Sequence, residues 1–298
     1  MKNFVSICLI AAIWGASHVW VRVAVPVFGA GWVAWARLAL GSLVMWGLIR
    51  AGGRNGDRSE RISLRSLVMV GLLNGALPFL LFAQASRFLP ASYLSILNSL
   101  TPSFSAIFSW WFLSDRVTGR TIAGLGAGLL GVLFIEEFGP IAFGETKVLR
   151  ALAEGVCAAA CYGLVGVYIK RRVPTSDPRR LVAGSFGVAA VSLFPVAWWG
   201  EGGLPLQALD HPQLGQAMVS VLLLGALSSS LAFAWYYHLL SKIGPFRSSL
   251  VTQMIPVFGV LWGALWLGER ITPVMVIGAG LVLVSTGLIL NRNAQRSR

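Results

Sequence analysis

Trp14, Ser17 and His18 place an indole, a hydroxyl and an imidazole close together on one apolar run. Residues 14 and 18 are one helical turn apart and share a face, with 17 beside them. Such a group could stack on a ligand, hydrogen-bond it, and exchange a proton with it near neutral pH. Arg37 stands about eight residues into the next apolar run, where a charge costs about 2.5–3.5 kcal/mol near a bilayer centre and calls for a partner or a watery cavity. It could hold a substrate carboxylate through a bidentate charge-assisted bond. It could equally be structural, bonding helix-end carbonyls or snorkelling to the surface. Two polar stripes complete the set: Ser95, Asn98, Ser99 and Pro102, and then Ser249, Thr252, Gln253 and Pro256. Each proline frees a carbonyl one turn earlier, near Asn98 and Thr252, which could face a cavity or ease bending. The alternative is plain helix-to-helix hydrogen bonding, typically about 0.6–2 kcal/mol. Tyr162 and Gly166 occupy, in a later run, positions corresponding to Trp14 and His18, and Gly163 there would permit close approach or local unwinding.

Other chemistry finds little support. Cys8, Cys157 and Cys161 all lie in apolar segments and form neither a disulfide framework nor a metal motif. The glycines from 124 to 128 superficially echo a nucleotide loop, but no strand–helix unit surrounds them, so no ATP site is read in the chain. No convergent acid, nucleophile or metal cluster is apparent, which sets an enzyme behind other readings. His238 and Glu154 sit near predicted span ends; Glu154 could meet Arg37 or Arg150, and a rim salt bridge accounts for it.

The elements that must position these residues are membrane helices. Of 298 residues 56% are hydrophobic and only 12% charged, with a mean hydropathy of +0.74. A soluble domain carries about 25% charged residues. Apolar windows separated by charged or Gly/Pro-rich breaks predict ten spans near 4–23, 30–49, 66–86, 91–113, 119–136, 150–170, 179–199, 216–238, 245–267 and 272–290. The basic start of 1–23 resembles a signal peptide, but no clear small-residue cleavage site follows. Tryptophans 20, 32, 35, 110, 111, 198 and 199 fall near span ends, as an aromatic belt would place them.

Net charge is +13, which could suggest nucleic acid, but the basic residues fall in short clusters between apolar runs. With the N terminus inside, 18 of the 24 Lys and Arg fall in cytoplasmic segments. The opposite side receives five: Arg22, Arg87, Lys147, Arg150 and Arg270. That bias predicts both termini in the cytoplasm.

The chain also repeats itself. Pro102 and Phe104 lead to Leu113, Asp115, Arg116 and Thr118; 154 residues later Pro256 and Phe258 lead to Leu267, Glu269, Arg270 and Thr272. Ser95 matches Ser249, and Trp14-Gly15 with Arg22 resembles Tyr162-Gly163 with Lys170. Two halves, 1–144 and 145–298, would each hold five helices. Because five is odd, the second must enter the membrane from the other side, giving an inverted repeat.

These features resemble the drug/metabolite transporter superfamily, specifically the ten-helix EamA-type permeases. The likeness rests on Trp14-Gly15 with Arg22, on Arg37, on the Pro102 to Arg116 and Pro256 to Arg270 stretches, and on glycine-rich helices 5 and 10. The first repeat departs slightly, with Ser114-Asp115 in place of the commoner Gly-Glu. The resemblance implies an all-α polytopic protein in a bacterial inner membrane, exporting small metabolites by alternating access without a cofactor. It is most similar to exporters of aromatic and other amino acids. Organic cations, drugs, sugars and nucleotide derivatives stay open as cargo. Expected partners are the substrate and membrane lipids, with no nucleic acid, and the protein as monomer or homodimer.

Overall fold

The structure, a computed structural model, describes residues 2–51, 62–114, 145–173, 177–236 and 250–290, with 119, 122–124, 126–127, 130 and 238–239. The described residues form helices and turns and contain no strand. In chain order the helices are α1 (Lys2–Phe28), α2 (Ala30–Ala51), α3 (Leu64–Ala85), α4 (Ala91–Asn98), α5 (Thr101–Leu113), α6 (Thr146–Arg172), α7 (Pro178–Gly200), α8 (Leu214–Tyr236), α9 (Leu250–Leu267) and α10 (Pro273–Leu290). The predicted fifth span, 119–136, falls almost entirely outside the described residues.

Six of these helices, α1, α2, α3, α6, α7 and α8, are long and apolar enough to cross a membrane. The 22 residues of α2 span about 33 Å at 1.5 Å per residue, against a hydrocarbon core of about 30 Å. The chain is a polytopic membrane protein. Large side chains left bare on its outside, such as Trp111 (70% exposed) and Trp199 (77%), are then lipid-facing and carry no hydrophobic penalty.

The chain reverses direction between α1 and α2. Only Gly29, at φ +81°, separates α1 from α2, and a residue with a Cβ would be strained there. The end of the bundle that holds this turn, the end opposite Lys2, is called the far end below. The α3–α4 turn and the ends of α7 and α9 lie there too, since Arg87 and Glu201 meet, as do Ala91 and Glu269.

One predicted span proves to be two helices. The segment expected as 91–113 breaks at Ser99 and Leu100, between α4 and α5. Pro102 lacks the N–H that would bond the Asn98 carbonyl, and the Thr101 hydroxyl takes that carbonyl instead, at 2.7 Å. At the matching place in α9, Pro256 has Ile255 before it, which offers no hydroxyl, and α9 runs unbroken from Leu250 to Leu267. Both α3 and α8 contain a π-helical segment, Leu72–Ala76 and Leu223–Leu231. The Leu77 N–H reaches back five residues to Leu72, and Ala232 likewise to Leu227.

Packing is between the halves as much as within them. α2 lies along α7, α1 packs on α9 and α8, and α6 packs on α5 and the end of α3. Close approach comes from small residues. A Cβ on Gly15 would sit 2.8 Å from the Phe258 Cβ and 2.9 Å from the Gly259 nitrogen. A Cβ on Gly163 would sit 2.7 Å from both the Phe104 Cβ and the Ser105 nitrogen. Gly15 and Gly163 correspond between the two halves of the sequence, as do Phe258 and Phe104.

Candidate functional site

Arg37 occupies the middle of the bundle, 8% exposed. Its Nε donates to Ser229 Oγ at 2.7 Å and its Nη2 to Ser228 Oγ at 3.2 Å. The guanidinium lies over the Phe79 ring, 3.7 Å from its centroid. Ser228 and Ser229 belong to the π-helical part of α8, and Phe79 to the turn of α3 that follows its own π-helical segment. Such irregular turns widen a helix and often occur where side chains must be aimed at a site.

Around that charge the aromatic residues form a wall. Trp14 donates its indole N–H to the Ser228 carbonyl at 3.2 Å and packs on Phe233 and Tyr236, ring centroids 5.1 and 5.2 Å apart. The rings of Phe186 and Phe79 meet edge-on at 5.9 Å, and Phe186 meets Phe233 at 5.6 Å. His18, one turn along from Trp14, sets its ring edge-on to Phe82 at 5.3 Å. Tyr162 of α6 stacks on the same Phe82 at 6.3 Å. The Arg37 charge is within electrostatic reach of both His18 and Tyr162. Among the described residues, three buried side-chain polar atoms have no hydrogen-bond partner: His18 Nε2, Tyr93 Oη and Ser230 Oγ. Leaving such a group unpaired typically costs about 1–3 kcal/mol.

The residues selected from sequence thus separate into two sets. Trp14, His18, Arg37 and Tyr162 converge on α3 and α8 at the bundle centre. Ser95 goes elsewhere, to the contact between α4 and α9, where it faces Gly259. Its hydroxyl donates to the Ser92 carbonyl, and those of Ser99 and Ser17 donate to Ile96 and Trp14. Each is a bond back to its own helix, a common resting place for serine in membrane helices. Asn98 is half-buried, and its carbonyl is held by Thr101. Thr252 and Pro256 lie on α9, Pro102 opens α5 and Gly163 marks the α5–α6 crossing. Ser249 and the Gln253 side chain fall outside the described residues. Glu154 pairs with Arg150 at 2.9 Å on the rim, the rim bridge expected from sequence.

Ser228, Ser229 and Ser230, all fully buried, were not among the residues selected. Their signal is three hydroxyls in succession inside an otherwise apolar span. Phe79, Phe82, Phe186 and Phe233 were also passed over, because phenylalanine in a membrane helix reads equally well as lipid-facing.

Comparisons with known proteins agree with this architecture. An uncharacterized transporter of Bacillus subtilis, YoaV, is 25% identical over 295 residues, covering 98% of this chain and 97% of that protein. A "probable terminal-alkyne amino-acid exporter" of Streptantibioticus cattleyicolor is 23% identical, over 98% and 95%. A "probable amino-acid metabolite efflux pump" of Salmonella typhimurium is 23% identical, over 71% and 70%. One solved crystal structure shares the fold, with a TM-score of 0.64 at 16% identity over 97% of this chain and 98% of that one. The family profile matches twice, over residues 2–136 and again over 150–291, and the chain belongs to the EamA-like transporter family.

Proposed function

We propose that this transporter exports small metabolites, amino acids foremost, across a bacterial inner membrane by alternating access. Both termini would face the cytoplasm, and two inverted five-helix repeats would rock against each other. The repeat reading is supported by the double family match and by the twin crossings at Gly15 and Gly163. The observation that carries the site is the buried Arg37, clamped by α8 of the other half, with the unpartnered His18 Nε2 in the same aromatic-walled centre. Polar groups at the interface of two repeats are where such transporters hold their cargo. Trp14, His18, Arg37, Tyr162 and Ser230 would line the substrate site, with Pro102, Pro256 and Gly163 as points of bending.

A second cargo class, organic cations, gains from the aromatic wall, because cations bind ring faces. Arg37 at the centre weighs against it by repulsion and favours a carboxylate. Counterflow in proteoliposomes, screened over amino acids, amines and sugars, decides between them. Movement of an amino acid is expected, and movement of amines alone would reverse the cargo assignment. Failure of the folded protein to move any solute would remove the transport reading for this chain. In the active case, His18→Ala should lower the rate and alter its dependence on a pH gradient.

A further inference from the structure

Two glutamates from the second half close the far end onto the first half, and each does so in the same way. The Glu269 carboxylate accepts from the backbone N–H groups of Ala91 (2.7 Å) and Ser92 (3.1 Å) and from Ser92 Oγ (2.7 Å). These are first-turn donors of α4, whose own N-cap, Pro90, provides no side-chain bond. Arg22 Nε stands 3.9 Å from the same carboxylate. That guanidinium also donates to the carbonyls of Ser86 and Leu89, in the turn between α3 and α4. The Glu201 carboxylate, just past the end of α7, accepts from Gly31 N–H at 2.9 Å, in the first turn of α2, and pairs with Arg87 at 3.0 Å. Gly29 lies against it so closely that a Cβ there would come within 2.5 Å of the carboxylate oxygen.

Each carboxylate thus joins a helix N-terminus and an arginine of the first half to a helix end of the second. Helix N-termini and guanidinium groups both favour an anion, so both contacts are charge-assisted. They also stand over the buried centre. A cleft of about 780 Å³ opens at the far end, and Arg22, Ser86, Arg87 and Glu201 are among the residues that line it. Arg22 is one helical turn, about 6 Å, from His18, which is only 5% exposed. Arg22, beside the Glu269 carboxylate, therefore lies between the open cleft and the turn of α1 that carries the unpartnered His18 Nε2.

We propose that Glu201 and Glu269 are paired latches of a far-end gate, shut in this conformation, and that both must release for cargo to pass between the cleft and the buried centre. This rests on the alternating-access reading. It adds the residues that hold one side closed.

The test reads access and does not depend on knowing the cargo. Ser230→Cys is placed in a background with Cys8, Cys157 and Cys161 replaced, and the full chain is reconstituted in proteoliposomes. A membrane-impermeant maleimide is then applied from each side in turn. With both glutamates present, labelling from the far side should be slow. Glu201→Gln and Glu269→Gln should each speed it by about tenfold, the scale of one lost charge-assisted bond, and together by more. Unchanged labelling in the double variant overturns the proposal. Exchange of the pair, Arg87→Glu with Glu201→Arg, should bring the rate at least partway back. Labelling that stays fast in the exchanged pair, as general loosening would give, also overturns it. If the chain with Ser230 intact transports but labelling ignores both glutamates, the gate fails and the transport reading stands. If labelling responds as expected while the chain with Ser230 intact moves no solute, the gate stands and the transport reading fails.

Discussion

Arg37 is held by three partners: two serine hydroxyls and one aromatic face. A hydrogen bond to a charged group contributes about 1.5–3 kcal/mol, and a desolvated cation–π contact about 2. Together these offset the cost of about 2.5–3.5 kcal/mol for a charge at this depth, so the arginine is satisfied without a carboxylate from this chain. The planar fork is essential to that arrangement. A lysine cannot bridge Ser228 and Ser229 while stacking on Phe79. Arg37→Lys should therefore lower the thermal midpoint of the detergent-solubilised protein by several degrees, for a loss of about 1–3 kcal/mol. Ser228→Ala with Ser229→Ala should do likewise, and the three changes combined should cost clearly less than their sum. Additive losses in thermal unfolding would mean that the serines and the arginine do not act as a unit. Transport sorts the roles further: a substrate anchor shows a raised KM in Arg37→Lys, and a purely structural residue does not.

At the scale of the helix, Gly15 and Gly163 decide how closely two helices can cross. Their neighbours are backbone and Cβ atoms, which cannot swing aside as the tip of a long side chain can. Gly15→Leu and Gly163→Leu should each destabilise by about 1–3 kcal/mol or more, the usual cost of overpacking. The two losses should be alike, since the crossings are alike, and an insensitive Gly163 in thermal unfolding would break the equivalence. That equivalence was legible in the sequence, because Trp14-Gly15 corresponds to Tyr162-Gly163 and Phe104 corresponds to Phe258. Most of the helices were legible too, since apolar length fixes a span. What stayed hidden was which face each helix turns to protein. Val191 is 76% exposed and Leu38 fully buried, yet both read as apolar residues in apolar runs. The break after Asn98 depends on a threonine hydroxyl next to Pro102, a bond that no periodicity records. The π-helical segments leave no periodic trace either, and without them the approach of Ser228 and Ser229 to Arg37 could not be placed. Ser17, Ser95 and Ser99 stand out in the sequence for their polarity, but their hydroxyls turn back onto their own helices.

Over the whole molecule, charge separates the two ends of the bundle. The far end carries Arg22, Arg87, Lys147, Arg150 and Arg270, and among the described residues it also carries Glu145, Glu154, Glu201, Asp210 and Glu269. Three of its arginines are matched by a nearby carboxylate: Arg22 with Glu269, Arg87 with Glu201, and Arg150 with Glu154. Among the described residues, the opposite end presents Arg50, Arg65, Lys170, Arg171, Arg172, Arg179 and Arg180, against Asp177. Basic residues in short loops resist translocation and are drawn to the anionic cytoplasmic leaflet, so the basic end should stay inside. A fluorescent protein that folds only in the cytoplasm should light up when fused after Arg298. Alkaline phosphatase, active only outside, should turn on when inserted after Gln207 and stay silent after Arg298. The reverse pattern would turn the bundle over, and with it the direction in which the far-end gate opens. With the expected pattern, a shut far end leaves the centre to be loaded from the basic, cytoplasmic end. An exporter at rest needs that state, because its cargo arrives from within the cell.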